Sequence, residues 1–271
     1  MMMGVAVFQE HGSTREVLIE AADSAMYFAK HTGRNRVCLA GEEFAAVQKV
    51  LAKARDGQMS EDVVVQALSD VAQVHDRETS GHAQRMVRLA EATARVLGRS
   101  DEDLHLIRLA ALLNDIGKIG IPDTILHKPG PLTEEEWAVM SRHPEIGRQV
   151  LVQAGGTFVL LSRIVGAHQE CWDGSGYPYG LAREAIPLGA RILAVVDAYD
   201  AMTSQRPYRA ALPTAQARTE LQRCAGSQFD PQVVDAFLRG LDALEQPAEH
   251  KQVEESPPQA SPSTGKVLPL A

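Results

Sequence analysis

The sequence predicts a mainly α-helical bundle carrying a small N-terminal β-α-β unit. Three observations point there. The 271-residue chain is 45% hydrophobic but only 5% aromatic, and rich in Ala, Leu and Val. From about residue 60 to residue 244 apolar residues recur at helical spacing, with no alternating strand pattern. Gly and Pro clusters cut that stretch into helix-sized pieces. A chain of this length can bury one large core or two modest ones.

Residues 4–8 (Gly-Val-Ala-Val-Phe) read as a short strand. A helix is expected from about Thr14 to His31, striped by Val17, Leu18, Ala21, Ala25, Met26 and Phe28. Gly33 ends it, and residues 36–39 read as a second strand. Residues 42–56 form a charged, moderately amphipathic connecting helix closed by Gly57. Ser60-Glu61-Asp62 then opens a succession of helices at roughly 61–76, 79–97, 101–116, 133–153, 158–170, 187–204, 213–223 and 230–244. Asp101 and Thr133 are the expected N-caps, the latter with Glu136 three residues on. The last 26 residues hold five prolines among Ser, Gln and Glu, the composition of a disordered tail. The chain thus divides into residues 1–40, a linker helix over 41–59, a helical domain over 60–245 and a tail over 246–271.

A net charge of −8 argues against nucleic acid or an anionic membrane surface as the main partner. An anionic substrate would need local cations, which bound metals could supply. Cys38, Cys171 and Cys224 are odd in number and far apart, so neither a disulfide framework nor a zinc motif is visible. The start lacks a basic leader, and no apolar run approaches the roughly 18 residues of a membrane span. A soluble, cytoplasmic protein is expected.

The chemistry centres on Asn114-Asp115-Ile116-Gly117-Lys118, which follows the leucine-rich run 104–113. An aspartate there can bridge two cations, and a lysine one turn on can neutralise a substrate oxygen. The same pentapeptide also reads as a helix end stopped by Gly117. Glu78 and His82, four apart, could share one cation. His143 stands before Pro144, and His168 lies near the end of an apolar helix. Asp197 interrupts the apolar run 192–196, where a carboxylate must be paired, hydrogen-bonded or metal-bound. Carboxylates and imidazoles spread over several helices suit iron or manganese better than a structural zinc.

Several longer words complete the pattern: residues 114–122 (Asn-Asp-Ile-Gly-Lys-Ile-Gly-Ile-Pro), Lys128-Pro129-Gly130, His143-Pro144-Glu145-Ile146-Gly147 and residues 172–178 (Trp-Asp-Gly-Ser-Gly-Tyr-Pro). Residues 197–204 (Asp-Ala-Tyr-Asp-Ala-Met-Thr-Ser), Arg206-Pro207-Tyr208-Arg209 and Gln228-Phe229-Asp230-Pro231 extend them. In these words residues 60–245 resemble an HD-GYP domain, the helical, metal-dependent cyclic di-GMP phosphodiesterase type of the HD superfamily. Residues 22–27 and 29–37 are similar to the last segment of a GGDEF domain, without the signature loop and metal-binding half that a cyclase needs.

The resemblance implies metal ligands at Glu78, His82, Asp115, His143, His168 and Asp197. Asp115 would bridge two metals, and Glu78 is the residue type seen in members with a third. Lys118 and Arg206 match the family's phosphate contacts. Tyr177 matches the Gly-Tyr-Pro loop, which the family also uses for regulatory protein contacts and which otherwise reads as a tight turn. The expected cofactors are two or three divalent ions, iron or manganese. The expected substrate is cyclic di-GMP, hydrolysed to linear pGpG, GMP or both. Two positions depart from the pattern: Asn114 replaces the dyad histidine, and Gln169 the second of a His-His pair. Each exchanges an imidazole nitrogen for an amide, with His75, His127 and Glu170 as candidate replacements. An active phosphodiesterase and a non-catalytic module that binds the nucleotide or a partner protein both remain open, as does a homodimer.

Overall fold

The computed structural model describes residues 3–5, 37–39, 42–76, 81–205 and 210–245, together with Arg15 and Ile19. Two short strands, β1 (Met3–Val5) and β2 (Val37–Leu39), pair in parallel with Met3 opposite Val37. Parallel pairing requires a crossover between them, as a β-α-β unit has. Most of the expected helix over 14–31 falls outside the described residues, as do the tail over 246–271, Glu78 and Arg206.

The rest is helical. The α-helices are α1 (Glu42–Arg55), α2 (Glu61–Asp76), α3 (His82–Val96), α4 (Asp101–Leu113), α5 (Asp123–Leu126), α6 (Glu134–Met140), α7 (His143–Ala154), α8 (Thr157–Gly166), α9 (Leu188–Thr203), α10 (Thr214–Arg223) and α11 (Pro231–Glu245). Two 3-10 turns, Ile116–Gly120 and Arg183–Ala185, join them. One layer packs α1, α2 and α7 around the turn 116–120 with α8 against α7, and the other packs α3, α4, α9, α10 and α11. Contacts of α4 and α9 with α8 join the layers into one core, which runs from Leu68 and Met86 through Leu113, Ile116 and Leu161 to Ile192 and Phe237.

Three expectations are corrected. The helix expected over 133–153 is two: α6 stops at Met140, and α7 restarts at His143 with Pro144 in its first turn. Proline lacks an N–H and fits only a helix start, so the break falls just ahead of it. Ser100, not Asp101, caps α4, its side chain accepting from the Asp103 amide. The turn 116–120 also replaces a continuous run to 116, because the backbone must bend toward α7. Thr133 does cap α6, in a full capping box with Glu136. The segment read as a connecting helix, α1, buries Val47 and Leu51 in the common core against α2 and α7.

Gly117 explains the bend. A Cβ there would lie 1.9 Å from the His143 carbonyl oxygen and 2.5 Å from the Gly147 nitrogen. The turn and α7 touch backbone to backbone, with no room for any side chain. Gly117→Ala should therefore cost at least about 3 kcal/mol, beyond ordinary overpacking because the obstacle is main chain. Gly57→Ala, at φ 68 with nothing within 4 Å, should cost only about 1 kcal/mol. Urea unfolding of the two variants checks the contrast.

Candidate metal centre

His143 and His168 owe their orientation to helix ends. The last carbonyls of a helix have no partner within it. The Nδ1–H of His143 donates to the Met140 carbonyl at the end of α6, at 3.0 Å. The Nδ1–H of His168 donates to the Val165 carbonyl near the end of α8, at 2.7 Å. A carbonyl can only accept, so in both rings Nδ1 carries a proton, which leaves Nε2 as the atom able to offer a lone pair. Those two Nε2 atoms face each other at 3.3 Å. Asp115 Oδ1 lies 3.6 Å from His143 Nε2, and all three ligand atoms fall within 4.8 Å of one another.

Three electron-rich atoms converging in a buried place repel one another unless a cation lies among them. Burial and the neighbouring His168 pull the pKa of His143 down to about 4, against the opposing pull of Asp115. The spacing fits a metal: two nitrogens each about 2.1 Å from one ion, at tetrahedral to octahedral angles, stand roughly 3.0–3.4 Å apart. A ligating histidine characteristically gives its other N–H to a carbonyl, as both rings do here. The residues present therefore fit a divalent cation held by Asp115, His143 and His168.

Asp115 faces two ways. Its other oxygen, Oδ2, is 3.0 Å from Lys118 Nζ. Burial pushes this carboxyl up, but Lys118, His143 and His168 together hold it well below the usual carboxylate range. Lys118 also reaches Asp76 Oδ2 at 2.6 Å. On this side a cavity of about 20 Å³ is lined by Asp76, His82, Asn114 and Asp115 among others, room for one water-sized guest. The Asn114 amide nitrogen is buried and makes no hydrogen bond. Rotated by half a turn, the same carboxamide would present its oxygen, an acceptable ligand for a hard cation.

His82 sits at the start of α3 with its Nδ1 2.7 Å from Asp200 Oδ2. Arg85 grips the same carboxylate, with Nε at 2.6 Å from Oδ1 and a terminal nitrogen at 3.2 Å from Oδ2. Asp197, half-buried one turn earlier on α9, has its carboxyl pushed up by burial and by the charge of Asp115, against the opposing pull of His168, Lys118 and His82. Asp197 thus shares the field of the centre without joining the compact triad. Tyr177 lies beside His143, ring centroids 6.4 Å apart, and burial with the charges of Asp115 and Asp197 pushes its hydroxyl up to about 12.

Two candidate replacements are otherwise engaged. Both oxygens of buried Glu170 accept backbone amides of the Gly-Tyr-Pro loop, from Tyr179 at 2.7 Å and Leu181 at 3.1 Å. His75 Nε2 meets the Lys118 carbonyl at 3.1 Å, and His127 stands edge-on to the His75 ring at 6.4 Å. Gln169 is half-buried, its carbonyl accepting from the Tyr177 amide. Sequence reasoning passed over Asp76, Asp200 and Arg85. Asp200 had a signal: like Asp197, it interrupts the apolar face of α9, three residues on. Asp76 and Arg85 had none, since each matters only through a partner more than 40 positions away.

Residues 66–233 match the family model described as HD domain. That is more than half of the chain, and the chain belongs to the HD domain family. It is 44% identical over 200 residues to the cyclic di-GMP phosphodiesterase response regulator RpfG of Xanthomonas campestris pv. campestris, covering 73% of this chain and 53% of that protein. It is 42% identical to a cyclic di-GMP phosphodiesterase of Thermotoga maritima, covering 65% and 48%. It is 37% identical to the 3'3'-cGAMP-specific phosphodiesterase 2 of Vibrio cholerae, covering 66% and 34%. The chain thus spans about half, or less, of the length of these relatives. The stretch similar to a GGDEF tail lies outside the matched residues.

The Asp200 contacts have a pH signature. Burial opposes ionisation of Asp200, but His82 and Arg85 hold its pKa below the ordinary 3.8. A carboxyl depressed in the folded state contributes its stability above the unfolded value and loses it as pH falls through the folded one. Asp200→Ala should therefore cost about 3 kcal/mol at pH 7. The gap from the parent protein should narrow below about pH 4, as followed by thermal unfolding across pH.

Proposed function

We propose that this chain is a metal-dependent phosphodiesterase acting on a 3′,5′-cyclic dinucleotide, cyclic di-GMP first. One observation carries the reading: the Nε2 atoms of His143 and His168 face each other at 3.3 Å beside Asp115, with both Nδ1–H groups committed to carbonyls. The names of the relatives supply the substrate class.

Divalent cations bound here would supply positive charge to the phosphodiester and make an attacking water more acidic. Asp115, His143 and His168 form one pole of the site. His82, Asn114 and Asp197 form the other, with Asp115 between them, and Glu78 is the family's position for a third ion. The mixed carboxylate and imidazole set favours iron or manganese. Lys118 is placed to leave its carboxylate partners for a phosphate oxygen as charge builds on phosphorus. Arg206 is the second expected phosphate contact, and Tyr177 borders the substrate space beside His143. Water adds to phosphorus, the bond to the 3′ oxygen breaks, and a linear dinucleotide with a 5′-phosphate leaves. A further round would give mononucleotides. The free thiols of Cys171 and Cys224 agree with a reducing, cytoplasmic setting.

A second reading has its own support. The buried, unbonded amide nitrogen of Asn114 stands where the family pattern has an imidazole, and Gln169 replaces another. A module that binds the nucleotide, or a protein through the Gly-Tyr-Pro loop, would keep this pocket without turnover.

The test is hydrolysis of cyclic di-GMP after anaerobic loading with iron(II) or manganese(II). Linear product from the parent protein supports the enzyme. Product only from the Asn114→His/Gln169→His double variant supports the binding module. Asp115→Ala and His143→Ala should each abolish turnover and weaken metal binding by at least about 10- to 100-fold, since even residues that merely support a ligand cost that much. Metal analysis of the purified variants checks this.

A further inference from the structure

Trp137 has no part in the chemistry above, yet it is one of two tryptophans in the chain and is 50% exposed. It meets Tyr177 edge to face, ring centroids 5.7 Å apart at 78°. Tyr177 in turn meets His143 at 6.4 Å and 78°. A row of rings thus runs from the metal-ligand imidazole to the surface. An edge-to-face contact covers at most one side of the indole, and half of the residue is exposed, so part of the ring is open to solvent two rings away from the metal-ligand imidazole.

Both supports of this row are rigid. Helix α6, which carries Trp137, is fixed by the Thr133–Glu136 capping box and by Lys128, whose Nζ is 2.5 Å from Glu136 Oε2. The loop carrying Tyr177 is pinned by the two Glu170 contacts to Tyr179 and Leu181. A Cβ on Gly176 would lie 2.2 Å from the Cys171 nitrogen, so the loop lies flush on its base. A fixed, half-open indole loses little freedom on binding a planar partner.

Resting on the phosphodiesterase reading, we propose that Trp137 is the stacking platform for one nucleobase of the cyclic dinucleotide. The phosphodiester would sit at Asp115, His143 and Lys118, and the base would lie on the indole beyond Tyr177. Every base has a π-face, so this platform recognises a planar base near the scissile phosphate rather than a hydrogen-bonding pattern. It gives the site a grip on nucleotides that simple phosphodiesters lack.

The probe is a non-hydrolysable phosphorothioate analogue of cyclic di-GMP, titrated into the metal-loaded full chain. In Trp172→Phe, Trp137 is the sole tryptophan, and its fluorescence should be quenched as the analogue binds. Calorimetry should show Trp137→Ala weakening the dissociation constant roughly 5- to 100-fold. Trp137→Phe should restore most of that loss, with metal content and thermal unfolding unchanged in both. Calorimetric binding without quenching, and equally tight in Trp137→Ala, overturns the platform and leaves the phosphodiesterase reading standing. No binding to any of the proteins overturns both.

Discussion

The contact between Gly117 and the first turn of α7 sets the position of everything else in the site. A tight turn joins α4 to α5 there, and a Cβ on Gly117 would occupy the space of the His143 carbonyl. Gly147 faces it from α7, where a Cβ would lie 3.3 Å from the Gly117 nitrogen. Because the two backbones touch, Asp115 is held against His143, and Lys118 against Asp115. Interior packing is stiff, so this approach fixes distances that a side-chain contact would leave adjustable.

The second constraint is the use of helix ends as hydrogen-bond acceptors. The break between α6 and α7 leaves the Met140 carbonyl for His143, and the end of α8 leaves the Val165 carbonyl for His168. Helix ends normally cost a fold something unless capped. Here the caps are the histidines themselves, and capping aims both Nε2 lone pairs at one point. Around that point Asp76 braces Lys118, while Asp200 with Arg85 braces His82. The residues around the candidate ion are thus held in place by a further ring of charged partners.

Much of this was legible in the sequence because it is local. Helical periodicity placed most of the helices, Thr133 with Glu136 marked a true start, and the carboxylate of Asp197 at the end of an apolar run pointed to α9. Asp115 and His168 could be singled out because each ends an apolar segment, and His143 because it stands before Pro144 in a word the family resemblance shares. Periodicity runs straight through 133–153, and the local stop that Pro144 imposes at Ser141 and Arg142 was overrun by it. The rest of what escaped depends on contacts distant in sequence. Charge made α1 look like a connector, whereas Val47 and Leu51 bury one of its faces in the core. Glu170 looked like a spare ligand, but backbone amides of a loop it precedes take both its oxygens.

Two imidazoles whose Nδ1–H groups are committed to carbonyls turn their Nε2 atoms on one point, and imidazole nitrogen resonances report that directly. In nitrogen-15-labelled protein freed of metal, His143 and His168 should both show a protonated Nδ1. Adding one equivalent of diamagnetic zinc should shift both Nε2 signals together and leave both Nδ1–H signals in place. An unprotonated Nδ1 in either ring, or a zinc shift confined to one ring, would contradict the convergence and the metal centre built on it.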